Sequence, residues 1–381
     1  MRFNFEVIYN RIKFADVFKL FRGSSPRPIE RFISSDKNDP YWIKIGDMPE
    51  IGYFVNTVKE HISIEGAKKS RAVYKGDMIL SNSMSFGKPY ILNIDGYIHD
   101  GWFVIRHYEE YFERDYLRYL LASPSIQKRY TQIAAGGVVL NISSDLVNSV
   151  VTFIPEKHEQ SKISLFLSLI DKRIDTQNKI IEDYSSLKKS IIDNFFNELT
   201  NSSLGEHIIE ITERNGYKNE YEVLSVSNKY GFIKQNEQFE DRIIASENKS
   251  NYKVVRKNTF AYNPARINVG SIACMHYLDI GIVSPMYLCF STLKTLSPYY
   301  LEYYFLSKSF KLEMNKKLEG SVRMCLQIDA LKKIKLYIPS LEIQNKFVNK
   351  LSCFDKKIQK EKDILSLYKK QKAYLLQNMF I

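Results

Sequence analysis

Two stretches of the chain carry a sustained seven-residue spacing of apolar positions, and each begins just after a proline. Following Pro155, Ile163, Ile170, Tyr184 and Ile191 take one core position of the heptad, while Leu167, Ile174, Ile181 and Phe195 take the other. After Pro339 the spacing returns as Phe347, Phe354, Tyr368 and Leu375, with Leu351, Ile358, Leu365 and Met379 on the second seam. Proline is tolerated at the start of a helix and not inside it, so Pro155 and Pro339 mark two helix starts. Neither stretch holds Gly or Pro over about 36 residues, which at 1.5 Å per residue predicts helices of roughly 54 Å. Polar residues break both seams at matching places, Gln177 with Glu361 and Lys188 with Lys372, as in coiled coils whose register is specified. Helices this long overhang a single domain, so the two are expected to pack on each other, antiparallel.

Elsewhere the pattern switches to short apolar runs bounded by turn residues, which predicts strands. In the first half these are Tyr41–Ile45, Met78–Ser81, Phe103–Arg106 and Val151–Ile154. Their counterparts are Glu222–Val226, Thr259–Asn263, Tyr287–Phe290 and Lys335–Ile338. Tyr and Leu recur at helical spacing in Arg114–Leu121 and Pro298–Leu306. The polar stretch Asn197–Gly205 reads as a linker.

The two halves are copies. Shifted by 184 residues, segment 116–196 lies on 300–380 without a gap and with 22 identities in 81 positions. Tyr116-Leu117 meets Tyr300-Leu301, Gly136-Gly137-Val138 meets Gly320-Ser321-Val322, and Ile154-Pro155 meets Ile338-Pro339. Gln160 meets Gln344, Asp171-Lys172 meets Asp355-Lys356, and Tyr184, Lys188, Asn194 and Phe196 meet Tyr368, Lys372, Asn378 and Phe380. A period of this length is a duplicated domain rather than a solenoid. The expected organisation is a globular domain at 1–155, a spacer helix at 156–198, a second domain at 199–339 and a second spacer helix at 340–381. The fold class is mixed α/β, internally duplicated, with two globular domains separated by two long antiparallel coiled-coil helices.

Composition changes this picture little. At 381 residues the chain has room for two cores, and 44% hydrophobic with 26% charged residues is ordinary for a globular protein. No apolar run is long enough to span a membrane. The N-terminal Met1-Arg2-Phe3-Asn4-Phe5-Glu6 lacks the apolar region of a secretory signal, so a cytoplasmic location is expected. Cys274, Cys289, Cys325 and Cys353 show no CxxC spacing and read as reduced core residues, not as a disulfide framework or a metal site. The net charge of +12 suits a polyanionic partner, although it is spread along the chain.

Fragments of catalytic motifs occur, each incomplete. Asp39-Pro40-Tyr41-Trp42 is one proline short of the motif of adenine methyltransferases, and no glycine-rich cofactor loop accompanies it. It reads better as a turn entering a strand. His158-Glu159 opens like HExxH, but position 162 is lysine. Gly87-Lys88 lacks the upstream glycine of a P-loop, and Asp241 with Glu247-Asn248-Lys249 is too closely spaced for a nuclease core. No catalytic residue and no metal ligand is assigned, and the chain is expected not to be an enzyme.

Two equivalent loops remain. Each follows a strand and is rich in Asn, Ser, Gly and a cation: Ser81-Asn82-Ser83-Met84-Ser85-Phe86-Gly87-Lys88, and Asn263-Pro264-Ala265-Arg266-Ile267-Asn268-Val269-Gly270-Ser271. Asn and Ser can pair with base edges or phosphates, Arg can bind guanine through two hydrogen bonds, and Gly admits close backbone approach. Candidate DNA contacts are therefore Asn82, Ser83, Ser85 and Lys88 with Arg22 and Arg27, and Asn263, Arg266, Asn268 and Ser271 with Arg323. An ordinary polar loop remains the alternative for any one of them.

The ordered set resembles the specificity subunit of type I restriction–modification systems. The resemblance rests on the paired strand–loop segments, Val283-Ser284-Pro285-Met286-Tyr287 before a strand, and the glycine turns at Gly136 and Gly320. The Ile-Pro entry to the helix reading Glu159-Gln160-Ser161-Lys162-Ile163 and the tail from Leu187 to Phe196 complete it. It spans essentially the whole chain. The second copy departs at Ile343, where the first has Glu159. The resemblance implies two target-recognition domains, each reading half of a bipartite site on double-stranded DNA. It implies helices that set the spacing and dock two modification subunits, with restriction (motor–nuclease) subunits joining the complex. S-adenosylmethionine, ATP and magnesium would then belong to the partners, and no cofactor to this chain. Two other readings are a stand-alone DNA-binding regulator or architectural protein, and a coiled-coil tether between proteins with no salt-dependent affinity for DNA.

Overall fold

The computed structural model describes residues 9–49, 52–82, 87–134, 142–197, 200–216, 220–235, 248–318 and 324–380. Two compact units emerge, Met1–Gln177 with Ile364–Ile381, and Asn178–Asp363. Each unit therefore contains part of both long helices.

In the first unit a five-stranded sheet runs in the order Lys19–Arg22, Trp102–Arg106, Met78–Ser81, Pro89–Leu92, Phe54–Val55. A second runs Ile33–Ser34, Glu60–Ile62, Tyr41–Ile43, Gly96–Ile98, Arg71–Val73. The three central strands of the first sheet are buried on both faces, and strand alternation divides their side chains. Ile79, Trp102 and Val104 join Ile43, Val73 and Ile98 between the sheets. Met78, Leu80, Phe103 and Ile105 point the other way, into a core shared with Tyr116, Leu117, Leu120 and Ile126 of the helices Arg114–Ala122 and Pro124–Ala134. A strand covered on both sides reads as a continuous apolar run. That is why Met78–Ser81 and Phe103–Arg106 are visible in sequence, whereas the half-exposed Lys19–Arg22 is not.

The second unit repeats the plan with two four-stranded sheets, Ile208–Ile211, Leu288–Thr292, Thr259–Tyr262, Ile272–Cys274 and Gly231–Lys234, Val223–Ser227, Ile280–Val283, Lys253–Arg256. Phe260, Tyr262 and Phe290 face the helix Pro298–Phe305, while Ala261 and Cys289 face Leu224, Val226 and Val283 of the other sheet. Both units contain the same parallel pairing, Tyr41–Ile43 with Gly96–Ile98 and Val223–Ser227 with Ile280–Val283.

The polar stretch after the first long helix is more ordered than its composition suggests. Ser202–Ser203 pairs with Lys335–Leu336, and Leu204 is fully buried. Asn201 explains why the predicted strand Lys335–Ile338 stops early: its side chain donates to the Ile338 carbonyl (2.9 Å) and accepts from the Ile338 N–H (2.8 Å). Asn197–Gly205 is thus only in part a linker.

Both long helices form, Lys157–Phe195 and Leu341–Met379, each of 39 residues. Of the predicted seam residues, Ile163, Leu167, Ile170, Ile174, Phe347, Leu351 and Ile358 are buried, whereas Ile181, Tyr184, Phe354, Leu365 and Tyr368 are half-buried. Within each unit the helices run antiparallel. In the second, Phe195 stacks on Phe347 (3.9 Å between ring centroids) and Tyr184 meets Phe354 edge-on (6.4 Å). In the first, Leu375, Leu376 and Met379 cover the core containing Ile163 and Leu167. Toward the helix ends burial slips one residue off the heptad, to Ile192, Phe196 and Phe380. A straight helix drifts by about 20° per heptad, and these ends pack on globular-domain tyrosines: Phe196 on Tyr300 and Tyr304, Phe380 on Tyr116.

Duplicated polar contacts hold these helices. Gln160, almost wholly buried, accepts from the Glu113 N–H (2.9 Å) and donates to the carbonyls of Tyr111 and Pro155. Gln344 repeats this with Ser297, Thr295 and Pro339. Asp171 accepts from the Tyr119 hydroxyl (2.6 Å) and pairs with Lys372 (2.5 Å). In the second unit Asp355 accepts from Tyr303 (2.7 Å) and pairs with Lys188. The lysines that interrupt the seams are thus neutralised by the aspartate of the other copy.

Candidate nucleic-acid interface

In the first unit three of the sequence-derived residues converge on one turn. Asn82 leaves the buried strand Met78–Ser81 and donates from Nδ2 to the Asp100 carbonyl (2.8 Å), while its N–H reaches the Gly101 carbonyl (3.0 Å). Arg22, at the end of its strand, donates from Nε to the same Asp100 carbonyl (3.2 Å). Arg27, 82% exposed, lies 3.5 Å from the Asp100 carboxylate, which also accepts from the Ser25 hydroxyl (2.8 Å). Arg71 adds a third guanidinium, its Nε donating to the Arg22 carbonyl (3.1 Å). Burial opposes the charged form of Asp100, but the Ser25 hydroxyl, its own backbone N–H, His99 and Arg27 together hold the carboxyl below its usual range. Gly23 permits this packing, since a Cβ there would sit 1.9 Å from the His99 carbonyl oxygen. An open cleft of about 720 Å³ adjoins the turn, with Arg27, Lys44, Glu60, His99 and the buried Trp42 in its walls. Lys88 is exposed, its ammonium 5.1 Å from the centre of the Tyr90 ring. Ser83 and Ser85 lie outside the described residues.

The second unit builds its loop by the same route with different residues. Asn263 follows Thr259–Tyr262 and accepts on Oδ1 from the Ala265 N–H (3.1 Å), while its N–H bonds the Ser271 carbonyl (3.1 Å). Ser271 donates to the Val226 carbonyl (3.1 Å). Arg266 and Asn268 are exposed. Gly270, in the left-handed conformation (φ 90°), turns the chain back beside Asn228. The adjoining hairpin turn presents Lys229 and Tyr230, the latter 67% exposed, with the ammonium 5.0 Å from the ring centre. Arg323 lies outside the described residues.

Burial revises the reading of three loop residues. Asn82, Asn263 and Ser271 are 5%, 7% and 5% exposed and use their side chains on neighbouring backbone. The donor edge of Asn82, the carbonyl edge of Asn263 and the hydroxyl of Ser271 are thus engaged in building the loops. Sequence reasoning missed Asp100, Arg71, Lys229 and Tyr230. Only Asp100-Gly101, a turn dipeptide between apolar runs, carried a signal that could have been read. A shared bond also ties each loop to an equivalent later residue of its own copy: Ile142 N–H to the Asn82 carbonyl, and Leu326 N–H to the Pro264 carbonyl. Asp39–Trp42 is, as read, a turn into the strand Tyr41–Ile43, with the Asp39 carbonyl bonded to His61 Nδ1.

Each of the two copies of one scaffold presents exposed cations around a backbone-pinned loop. The chain belongs to the type I restriction–modification DNA specificity domain family, whose model matches it twice, at residues 8–183 and 198–367. Its work is the recognition of a DNA target for such a system. Solved structures share the fold. One is the S subunit of the type I restriction–modification system of M. genitalium, 16% identical with a TM-score of 0.53, covering 100% of this chain and 98% of the other. A chain from a study of complex assembly and conformational transition of the type I system is 14% identical with a TM-score of 0.63, covering 98% of each. Among the described residues, no helix is long and apolar enough to cross a membrane.

Proposed function

We propose that each unit reads one half of a bipartite DNA target, the first through Arg22, Arg27, Arg71 and Lys88, the second through Arg266, Asn268, Lys229 and Tyr230. The observation that carries this reading is the duplication of the loop framework with different exposed side chains on each copy. A shared scaffold with divergent tips is what two separate half-site specificities require. Phosphate contacts supply affinity and register, while base-edge contacts supply sequence. In this reading the chain carries no chemistry of its own. The long helices fix the separation of the half-sites and dock two modification subunits, which bring S-adenosylmethionine; restriction subunits bring ATP and magnesium.

The test is methylation by the reconstituted complex on a DNA library randomised in both half-sites. Arg266→Ala is expected to relax one half-site only, costing about 1–3 kcal/mol of discrimination at one base. Arg27→Ala is expected to relax the other. If Arg266 holds a phosphate instead, all sequences weaken equally and the salt slope falls by about one. Relaxation of both half-sites by either substitution would rule out two independent readers.

A further inference from the structure

The second unit brings together three side chains that the reading of DNA does not use. Cys274 ends the strand Ile272–Cys274, which leaves the Arg266 loop directly, and is 5% exposed. His276 stands two residues on, and Glu302 comes from the helix Pro298–Phe305. One ligand atom from each lies within 4.8 Å of the other two. The backbone beneath them is fixed: Cys274 is paired with Phe260 in the sheet, and the Met275 N–H bonds the Thr259 carbonyl (2.9 Å). The imidazole is fixed as well, stacked face to face on Tyr299 at 4.9 Å with 7° between planes. His276 Nε2 lies 2.8 Å from a Glu302 oxygen, but its Nδ1 is buried with no hydrogen-bond partner among the described residues. A plain His–Glu ion pair accounts for neither that orphaned nitrogen nor the thiol beside it.

We propose that Cys274, His276 and Glu302 bind a single borderline-soft divalent cation, zinc(II) in the first instance, which staples the strand leaving the Arg266 loop to the neighbouring helix. The donor set decides the class of ion. Thiolate and imidazole favour zinc, whereas magnesium and calcium take oxygen donors. In a tetrahedral zinc site with the usual bond lengths the ligand atoms stand roughly 3.3–3.8 Å apart, so side-chain motion of about an ångström closes the set. Three protein ligands leave one position for water or a further donor. The thiol must shed its proton as the metal enters, and metal bound only by the folded unit stabilises it. The sequence could not show this site. Cys-x-His is too short to be a metal signature, and the glutamate arrives from a separate helix.

The experiment uses the full-length chain without an affinity tag, stripped with a chelator and titrated with cobalt(II), then zinc(II). One cobalt per chain is expected, with a near-ultraviolet thiolate-to-cobalt charge-transfer band that zinc abolishes. Zinc should also raise the thermal midpoint of the stripped protein. Cys274→Ser should remove the band, Glu302→Gln should weaken binding by at least roughly tenfold, and Cys353→Ser, at an exposed thiol, should leave both unchanged. Cobalt binding without the band, or a band that survives Cys274→Ser, would overturn the proposal. Zinc-edge X-ray absorption of the unaltered chain guards against misfolded variants. One sulfur neighbour at about 2.3 Å supports the site, and light-atom neighbours alone refute it.

Discussion

At the scale of single residues, the loops separate side chains that shape from side chains that touch. Asn82 and Asn263 have the chemistry to read a base, yet both are buried and bonded to backbone, while the charged residues near them remain exposed. A buried amide bonded to its neighbours contributes through the cost of leaving those neighbours unpaired. Asn82→Ala is therefore expected to destabilise the first unit by about 1–2 kcal/mol and to loosen the Asp100 turn. Its partner carbonyl retains Arg22, which limits the loss. Urea unfolding with local hydrogen exchange checks this. Unchanged stability together with a clean loss of discrimination at one base would return Asn82 to the contact surface. Residue type alone cannot distinguish the two roles, because asparagine suits a loop framework and a base edge equally well. Burial decides between them, and burial depends on the Asp100-Gly101 turn, which lies 18 residues away from Asn82.

At the scale of elements, the long helices were the most legible part of the sequence. Heptad spacing is local, and the duplication shows it twice. What the spacing did not reveal is how the helices are tied to the sheets. Gln160 and Gln344 do this, each with three hydrogen bonds from a buried amide. The repeat alignment marked them as identical without giving a reason. Ile343, facing Glu159 in the alignment, is 43% exposed, so the departure at that position leaves the tie intact. Replacing either glutamine with methionine preserves volume but strands one N–H and two carbonyls. The expected cost is about 2–4 kcal/mol in the affected unit. Gln160→Met should lower protection in Arg114–Ala122, and Gln344→Met in Pro298–Phe305, each leaving the other unit unchanged. Equal losses in both units, or none, would contradict this account. Strands covered on both faces were the easiest to read, although Val151–Ile154 was legible too with Phe153 exposed. Lys19–Arg22, partly exposed and ending in arginine, offers no apolar run, although it carries one of the exposed cations of the first loop.

At the scale of the whole molecule, chain order and packing order differ. The last residues of the chain do not complete the unit that precedes them; Ile364–Ile381 belong with Met1–Gln177. Phe380, 2% exposed, packs on Tyr116 at 5.3 Å, and Lys372 supplies the charge that neutralises Asp171. The second unit has its own equivalents within Asn178–Asp363, Phe196 on Tyr300 and Lys188 on Asp355. The alignment of Phe196 with Phe380 was plain in the sequence, but no periodicity reveals which tyrosine each will meet. Ending the chain at Asp363 is therefore expected to damage the first unit and spare the second, which precedes the cut in the sequence. Losing the buried Phe380 ring costs about 3–5 kcal/mol by itself, and Asp171 is left without its lysine. Hydrogen exchange should show lost protection in Arg114–Ala122 with Pro298–Phe305 unchanged, and discrimination should fail in the half-site that depends on Arg27. Phe380→Ala in the full-length chain should give a milder version of the same pattern, separating lost packing from lost helix. If protection fell instead in Pro298–Phe305, the last helix would be completing the second unit, and the pairing of each helix end with the other copy's partner residues would be wrong.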